Sequence, residues 1–292
     1  MKEVELVNGD LRFPALMAGQ GEPVILLHGF PDCYENWAVQ VNAIADAGYT
    51  VFAPALRGYA PSCQPGNNDY SLPAAVDDLL VFASQLGGRV HLVGHDWGAV
   101  VGYLATASSP HTFCTFSALA IPPVKRIPAA LVKVPEQLLL SSYMQFFQLP
   151  YVAEKWLQRN ELSGVDTLWR RWSPDWDGGL YLEHAKHALA QPGVVKAALS
   201  WYRELFKVWR RQHLEARRWL ALESHTPTQV LIGARDGCMS PRLLDHTINA
   251  ADFSAGVNVE IVPAAGHFLH LERPEMVNEL LIKHLRSSSC EL

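Results

Sequence analysis

The sequence predicts an α/β fold in which a mainly parallel, buried sheet is covered by helices and carries an inserted all-helical cap. Two observations predict the core: short apolar runs end in turn residues, as buried strands do, and amphipathic segments lie between several of them. A third predicts the cap, because the strand signal disappears from about residue 123 to residue 222. We therefore divide the chain into a first core part (1–122), a helical cap (123–222) and a second core part (223–292).

The elements of the core follow from local patterns. Each predicted strand is a short apolar run, partly β-branched, that ends at turn residues. The six strands lie at 23–29, 49–56, 90–95, 116–121, 228–234 and 257–263. Helical periodicity predicts helices at 35–47, 72–86, 97–108 and 274–285. Strands alternating with helices imply parallel pairing with helices on both faces.

The predicted cap is rich in tryptophan and in helix-forming residues. Seven of the nine tryptophans lie in it, and they imply either an aromatic-lined pocket or the cap's own core. Proline-containing segments at 121–128 and 223–228 mark its boundaries. Its arginine pairs, at 170/171, 210/211 and 217/218, are interpreted as solvated helix faces.

Composition excludes several classes of function. The chain of 292 residues is 49% hydrophobic, with a net charge of −5 and no long basic run, so neither nucleic-acid binding nor a polybasic membrane patch is expected. The N-terminus lacks the apolar run of a signal peptide, and no apolar stretch approaches the roughly 20 residues of a membrane span. The five cysteines are odd in number and lack CxxC spacing, so we expect reduced thiols and a cytoplasmic protein.

The stretch VGHDWGAVVG, residues 93–102, contains the central motif. Asp96 stands between a predicted strand and a predicted helix, with Gly94 and Gly98 on either side. This is the pattern of a nucleophile elbow, a strained turn that holds one side chain over the sheet. An aspartate before a helix is more often only an N-cap, but the glycine spacing favours a nucleophile.

A carboxylate nucleophile favours particular electrophiles. Asp96 is ionised at neutral pH without a base, since an ordinary aspartate has a pKa near 3.9. Attack on a carbonyl would give a mixed anhydride, whereas attack on a saturated carbon bearing a strained or leaving heteroatom gives an alkyl ester. Epoxides and alkyl halides are the obvious electrophiles.

Hydrolysis of that ester needs a base and an acid that orients it. Asp236 follows the strand at 228–234, and His267 follows the strand at 257–263, so both lie at carboxyl ends of predicted strands. Asp236 could instead serve loop structure, and His270 or His284 could replace His267. No Asp or Glu occurs between residues 97 and 135, which excludes an acid after the strand at 116–121. The order nucleophile, acid, histidine is that of a hydrolytic triad.

Together these motifs resemble those of the α/β-hydrolase-fold epoxide hydrolases over nearly the whole chain. The matching motifs are HGFP (28–31), RGY (57–59), GHDWG (94–98), ARDG (234–237) and AGHF (265–268). The resemblance implies the α/β-hydrolase fold and an oxyanion hole formed by the backbone amides of Phe30 and Trp97. It also implies a substrate pocket that includes Phe30, Pro31, Trp97 and Phe268.

The resemblance extends to the cap, where this family places two tyrosines that point at the nucleophile. SSYMQFFQLP supplies Tyr143 and LSWYRELF supplies Tyr202. A phenol is protonated at neutral pH and can donate to an epoxide oxygen. A single cap tyrosine is more often packing, but two in matching contexts favour a catalytic role.

Departures from the family pattern define the alternatives. Ala60 and Pro61 replace the usual Gly-x after RGY, which should change a loop near the site. A dehalogenase would use the same nucleophile; however, Phe30 stands where haloalkane dehalogenases carry Asn. Trp97 and Val100 stand where fluoroacetate dehalogenases carry arginines. A non-catalytic ligand-binding protein is disfavoured because the triad is complete.

The sequence therefore predicts an epoxide hydrolase that forms a covalent ester on Asp96 and needs no metal or organic cofactor. The expected partner is a small apolar epoxide, without nucleic acid and without a membrane span, and a homodimer is compatible with the sequence. Detoxification, catabolism and turnover of a signalling lipid are all compatible with this reaction.

Overall fold

The computed structural model describes residues 1–290, and its centre is one eight-stranded sheet. The strands are β1 (Lys2–Asn8), β2 (Leu11–Gly19), β3 (Pro23–Leu27), β4 (Thr50–Pro54), β5 (Val90–His95), β6 (Phe113–Leu119), β7 (Thr228–Gly233) and β8 (Val257–Val262). Their order across the sheet is β1-β2-β4-β3-β5-β6-β7-β8. β1, β2 and β4 pair antiparallel, and all remaining pairs are parallel. The predicted fold class is confirmed, and all six predicted strands are present.

The first two strands were not predicted from the sequence. They form a hairpin whose turn lies at Gly9 and Asp10, with Asn8 paired to Leu11. The alternation in KEVELVN and the Asn-Gly pair that enters the turn are ordinary hairpin signals. The hairpin extends the sheet beyond β4 through pairing of β2 with β4.

Helices of the core cover both faces of the sheet. They are α1 (Ala38–Asp46), α2 (Leu72–Gln85) and α3 (Trp97–Ser108). Successive side chains of β3 point to opposite faces of the sheet. Val24 and Leu26 pack in the hydrophobic core on one face, and Ile25 and Leu27 pack in the core on the other. The central strands are consequently buried on both faces, which explains their continuous apolar runs.

Between β6 and β7 the described chain forms helices without strands. These are α4 (Ile127–Ala130), α5 (Glu136–Leu140), α6 (Tyr143–Phe146), α7 (Val152–Trp172), α8 (Gly179–Ala190), α9 (Val194–Leu205) and α10 (Arg211–Ala221). The helix α7 is interrupted at 159–162, where Asn160, Glu161 and Leu162 have positive φ angles. The cap predicted at 123–222 comprises this helical stretch, and the division of the chain into two core parts and a cap stays a prediction.

The helices that follow β7 pack on the core. After β7 come α11 (Leu244–Thr247), α12 (Leu269–Glu272) and α13 (Pro274–Leu285). Single 3₁₀ turns occur at Tyr34–Trp37, Pro61–Cys63, Pro110–Thr112, Val124–Arg126, Pro241–Leu243 and Ala250–Asp252. No helix within residues 1–290 has the length and apolar character needed to cross a bilayer.

A disulfide corrects the prediction that all cysteines are reduced. Cys114, at the start of β6, is bonded to Cys290, and the two Cα atoms are 5.4 Å apart. Cys33, Cys63 and Cys238 are free and buried. The pair is separated by 176 residues, so only the tertiary structure brings it together. The cysteine pattern therefore gives no support to a cytoplasmic location, because disulfides are uncommon there.

Candidate active site

Asp96 occupies a strained turn between β5 and α3. Its φ and ψ angles are +50° and −115°, which a residue with a side chain rarely adopts. The turn requires the flanking glycines: a Cβ on Gly94 would lie 2.3 Å from the carbonyl oxygen of Gly98, and one on Gly98 would lie 2.2 Å from that of Leu27. The close approach of strand and helix holds the Asp96 carboxylate in place above the carboxyl end of the sheet.

The loop after β3 lies directly against this carboxylate. The Phe30 amide donates a hydrogen bond of 2.7 Å to Asp96 Oδ1, and the peptide between Phe30 and Pro31 is cis. A Cβ on Gly29 would lie 2.3 Å from the Cβ of Asp96, so only glycine leaves room for the nucleophile. Trp97, the second expected oxyanion donor, is the first residue of α3, so its amide is at a helix N-terminus. One oxygen of Asp96 is thus already held by a backbone amide.

The structure brings His267 and Asp236 together beside Asp96. His267 Nδ1 lies 3.0 Å from Asp236 Oδ2, and His267 Nε2 lies 3.6 Å from Asp96 Oδ2. The other oxygen of Asp236 accepts hydrogen bonds from the amides of Cys238 and Met239. The histidine is therefore oriented by one carboxylate and directed at the other, as a base next to a nucleophile must be.

The two carboxylates determine the protonation of His267. Burial opposes its charged form, but the charge and hydrogen bond of Asp236, together with those of Asp96, raise the pKa of His267 from 6.5 to about 10. Its imidazole is consequently protonated at neutral pH. An uncharged Asp96 would remove part of this effect and lower the pKa of His267.

The cap ties the acid and base loops together. The carbonyl oxygen of Trp172, at the end of α7, accepts hydrogen bonds of 3.0 Å from the amides of both Gly237 and His267. Gln137 of α5 is also buried; its side chain donates to the carbonyl of Cys238 and accepts from the amide of Ser240. Sequence reasoning missed these contacts because both depend on how the cap lies on the core.

The two cap tyrosines lie side by side, and Tyr202 contacts residues that flank the nucleophile. Their rings are 5.7 Å apart, and Tyr202 also packs edge-on against Phe30 and Trp97, at 5.3 and 4.9 Å. The hydroxyl of Tyr202 is buried without a hydrogen-bond partner, whereas that of Tyr143 lies 3.5 Å from Cys238 Sγ. Burial, and then nearby groups that include Asp96, raise the pKa of both phenols well above 10. Both therefore remain protonated donors at neutral pH.

The four residues expected to line the pocket form two pairs, one beside Tyr202 and the other beside Trp169. Phe30 and Trp97 surround Tyr202, as described above, and Phe30 is fully buried. Pro31 and Phe268 instead contact the cap: the carbonyl of Pro31 accepts a hydrogen bond of 2.8 Å from Trp169 Nε1, and Phe268 stacks on Trp169 at 3.9 Å. Phe268 lies next to His267, with ring centroids 5.3 Å apart.

A buried polar cluster behind the triad was not predicted. His95 Nε2 donates to the carbonyl oxygen of His267 at 2.9 Å, which fixes the backbone of the base. Asp32 is fully buried, and desolvation raises its pKa to about 7 despite hydrogen bonds from Asn36 and Cys33. The sequence signal was the histidine directly before the nucleophile, whose role depends on a contact 172 residues away.

The two alternative histidines lie elsewhere. His270 is fully buried, stacks on Trp37 with centroids 4.4 Å apart, and has its Nε2 3.9 Å from Asp32. His284 lies 3.2 Å from the carbonyl of Pro227, near the start of β7. Of the three histidines considered for the base, His267 is the one whose ring contacts both Asp96 and Asp236.

Comparison with known proteins gives consistent matches along the chain. A family model described as "Alpha/beta hydrolase family" matches residues 24–280. The AB hydrolase superfamily protein YfhM of Bacillus subtilis is 30% identical over 91% of each chain. Epoxide hydrolase A of Mycobacterium tuberculosis is 30% identical over 95% of each chain. Epoxide hydrolase A from Mycobacterium thermoresistibile superposes with a TM-score of 0.82 at 25% identity, covering 99% of each chain.

Proposed function

Because the chain belongs to the alpha/beta hydrolase family, and within it to the group of epoxide hydrolases, we propose that it converts an epoxide and water into a vicinal diol through an ester on Asp96. The observation that carries the mechanism is the geometry of Asp96. One of its oxygens is held by the Phe30 amide, and the other lies 3.6 Å from His267.

In the first step, Oδ2 of Asp96 attacks an epoxide carbon from the face opposite the ring oxygen. A carbon–oxygen bond forms, the carbon–oxygen bond of the epoxide breaks, and the electron pair moves to the leaving oxygen. Tyr143 and Tyr202 donate hydrogen bonds to that oxygen as charge develops. One of the two phenols transfers its proton to the oxygen, which becomes the first hydroxyl of the diol, and that phenol regains a proton from solvent. The choice of Oδ2 follows because Oδ1 already accepts from Phe30.

Formation of the ester changes the state of His267. Esterified Asp96 carries no charge, so one of the two groups that raise the pKa of His267 is lost. The histidine can then release its proton to solvent and serve as the base for the second step, while Asp236 keeps it oriented. The first step of the reaction thus prepares the base for the second.

In the second step, His267 removes a proton from water, which attacks the ester carbonyl carbon of Asp96. The negative charge then develops on Oδ1, where the amides of Phe30 and Trp97 stabilise it. Collapse of this intermediate breaks the bond between the carbonyl carbon and Oδ2, so the diol oxygen leaves as an alkoxide. It takes the second proton of the attacking water, which completes the diol and restores the Asp96 carboxylate, while His267 is left protonated as in the free enzyme. All of these groups belong to residues of this chain.

Product analysis tests the reaction class. The wild-type protein is incubated with a panel of aryl and alkyl epoxides and, separately, with haloalkanes. We expect diols from at least one epoxide, no halide release, and no product from either panel with Asp96→Ala. Halide release without diol formation would contradict the proposal and indicate a dehalogenase.

A cytoplasmic location and a homodimer stay predictions. Fractionation of cells that express the chain tests the first, and the mass of the purified protein in solution tests the second. A small apolar epoxide is the partner that the aromatic surroundings of Asp96 favour.

A further inference from the structure

The end of the cap carries an exposed surface that the proposed reaction does not use. It consists of the segment between α9 and α10 and the outer face of α10, and we call it the cap-end surface. Its members are apolar or basic: Phe206, Val208, Trp209, Arg211, Leu214, Arg217 and Arg218. The opposite side of α10 is buried through Ala216, and the helix contacts α2 and α3.

The apolar members of this surface are unusually exposed. Trp209 is 76% exposed, Val208 55%, Leu214 49% and Phe206 42%. Scattered exposed hydrophobic residues are normal, but four within nine consecutive positions form a local cluster that burial in the fold does not explain. Tryptophan in particular is rarely left in water without a function, because its indole ring is large and apolar.

The same surface is positively charged although the whole chain is acidic. Residues 206–221 contain five basic residues and one acidic residue, whereas the chain has a net charge of −5. Glu204 neutralises part of this charge by pairing with Lys207 and Arg210, at 2.6 and 3.1 Å. The remaining three, Arg211, Arg217 and Arg218, have no ion pair within residues 1–290.

We propose that the cap-end surface binds the face of a membrane that contains anionic phospholipids. Exposed aromatic and aliphatic side chains beside arginines are the features of an interfacial membrane contact: the apolar groups enter the headgroup boundary, and the arginines pair with lipid phosphates. The interpretation of these arginines as a solvated helix face accounts for their exposure. It does not account for Trp209, Val208 and Phe206 beside them.

The position of the surface connects it to the active site. Tyr202 lies on α9, which ends at Leu205, and the cap-end surface begins at the next residue. A membrane bound there would bring the cap helix that carries Tyr202 to the lipid boundary. This consequence rests on the proposed function and identifies the substrate class as lipophilic epoxides dissolved in the membrane. Binding to the membrane itself does not depend on that function.

Co-sedimentation with vesicles tests the proposal directly. The full chain is mixed with vesicles of phosphatidylcholine alone or with about one third phosphatidylserine, at low and high salt. We expect binding to the phosphatidylserine vesicles that weakens as salt rises, and little binding to phosphatidylcholine. Equal binding to both vesicles, or sedimentation with neither at low salt, would overturn the proposal. Retention by double-stranded DNA without vesicle binding would overturn it in favour of a nucleic-acid partner.

Variants locate the contact. Each Arg→Gln change at 211, 217 or 218 should weaken binding about fivefold, and the triple variant about a hundredfold. The matched control is the triple Gln variant of Arg12, Arg170 and Arg286, which are also exposed and without an ion pair within residues 1–290. Control and test variants that lose binding equally would show that general charge is responsible and would overturn the assignment.

The apolar part is tested by Val208→Ser/Trp209→Ser, with Leu139→Ser as the control because Leu139 is 72% exposed elsewhere on the cap. We expect at least tenfold weaker vesicle binding for the first variant only. Hydrolysis of a water-soluble epoxide should be unchanged in all variants, which shows that they are folded. If no epoxide is hydrolysed by the wild type, circular dichroism replaces this check, and the vesicle result stands separately from the proposed function.

Discussion

The two cap tyrosines provide a quantitative test of the first chemical step. Replacing one by phenylalanine removes a hydrogen bond to the charged oxygen of the opening epoxide, which is worth about 1.5–3 kcal/mol. That range corresponds to about 10- to 150-fold in rate. Tyr202 has no hydrogen-bond partner to lose in the free enzyme, so Tyr202→Phe should fall near the upper end. Tyr143 must first leave its contact with Cys238, so Tyr143→Phe should fall near the lower end.

The assay is single-turnover alkylation, followed by the change in intrinsic tryptophan fluorescence when epoxide is mixed with excess enzyme. The double variant should lose at least the product of the two single effects, because no donor remains for the leaving oxygen. Tyr103→Phe is the matched control, since Tyr103 is a buried tyrosine whose hydroxyl donates to the carbonyl of Ile121. A double variant that alkylates at the wild-type rate would refute the assignment of these tyrosines.

Three further predictions concern the nucleophile, the base and the disulfide. Gly29→Ala should lower kcat/KM about a hundredfold, because the new methyl group would displace Asp96. Circular dichroism should show that the variant is folded. An unchanged kcat/KM would contradict the close packing of Gly29 against Asp96. The raised pKa of His267 stabilises the fold fully below pH 6.5, and this contribution is lost as pH rises to about 10. The Tm difference between wild type and His267→Gln should accordingly shrink over that range, and a growing difference would contradict the sign. In denaturant without reductant, thiol titration should find three thiols, and five thiols would exclude the bond. Reduction of the disulfide between Cys114 and Cys290 should lower the free energy of unfolding by about 2–5 kcal/mol.

Local patterns were sufficient to predict much of the fold and the three residues proposed as the triad. The nucleophile could be recognised because the turn at Asp96 needs glycines at fixed positions, Gly94 and Gly98, and the structure shows why. Asp236 and His267 could be placed because parallel strands bring their carboxyl ends to one edge of the sheet. Both inferences need only the spacing of residues along the chain and the known geometry of parallel strands and of the turns that follow them.

The rest depends on contacts between distant segments. No local pattern indicates that the carbonyl of Trp172 binds the loops of both Asp236 and His267, or that His95 holds the His267 carbonyl. The pairing of Cys114 with Cys290 is likewise a product of the tertiary fold. The β1–β2 hairpin differs from these, because the alternation in KEVELVN is a local strand signal that needs no distant contact.

The central claim is that Asp96 forms a covalent ester which His267 hydrolyses. The most direct test is the intact mass of His267→Gln after incubation with an epoxide that the wild type converts. We predict an increase equal to the whole mass of the epoxide, which maps to Asp96 and is absent in Asp96→Ala. A folded His267→Gln protein that turns over the epoxide without any adduct, or an adduct that persists in Asp96→Ala, would contradict the account.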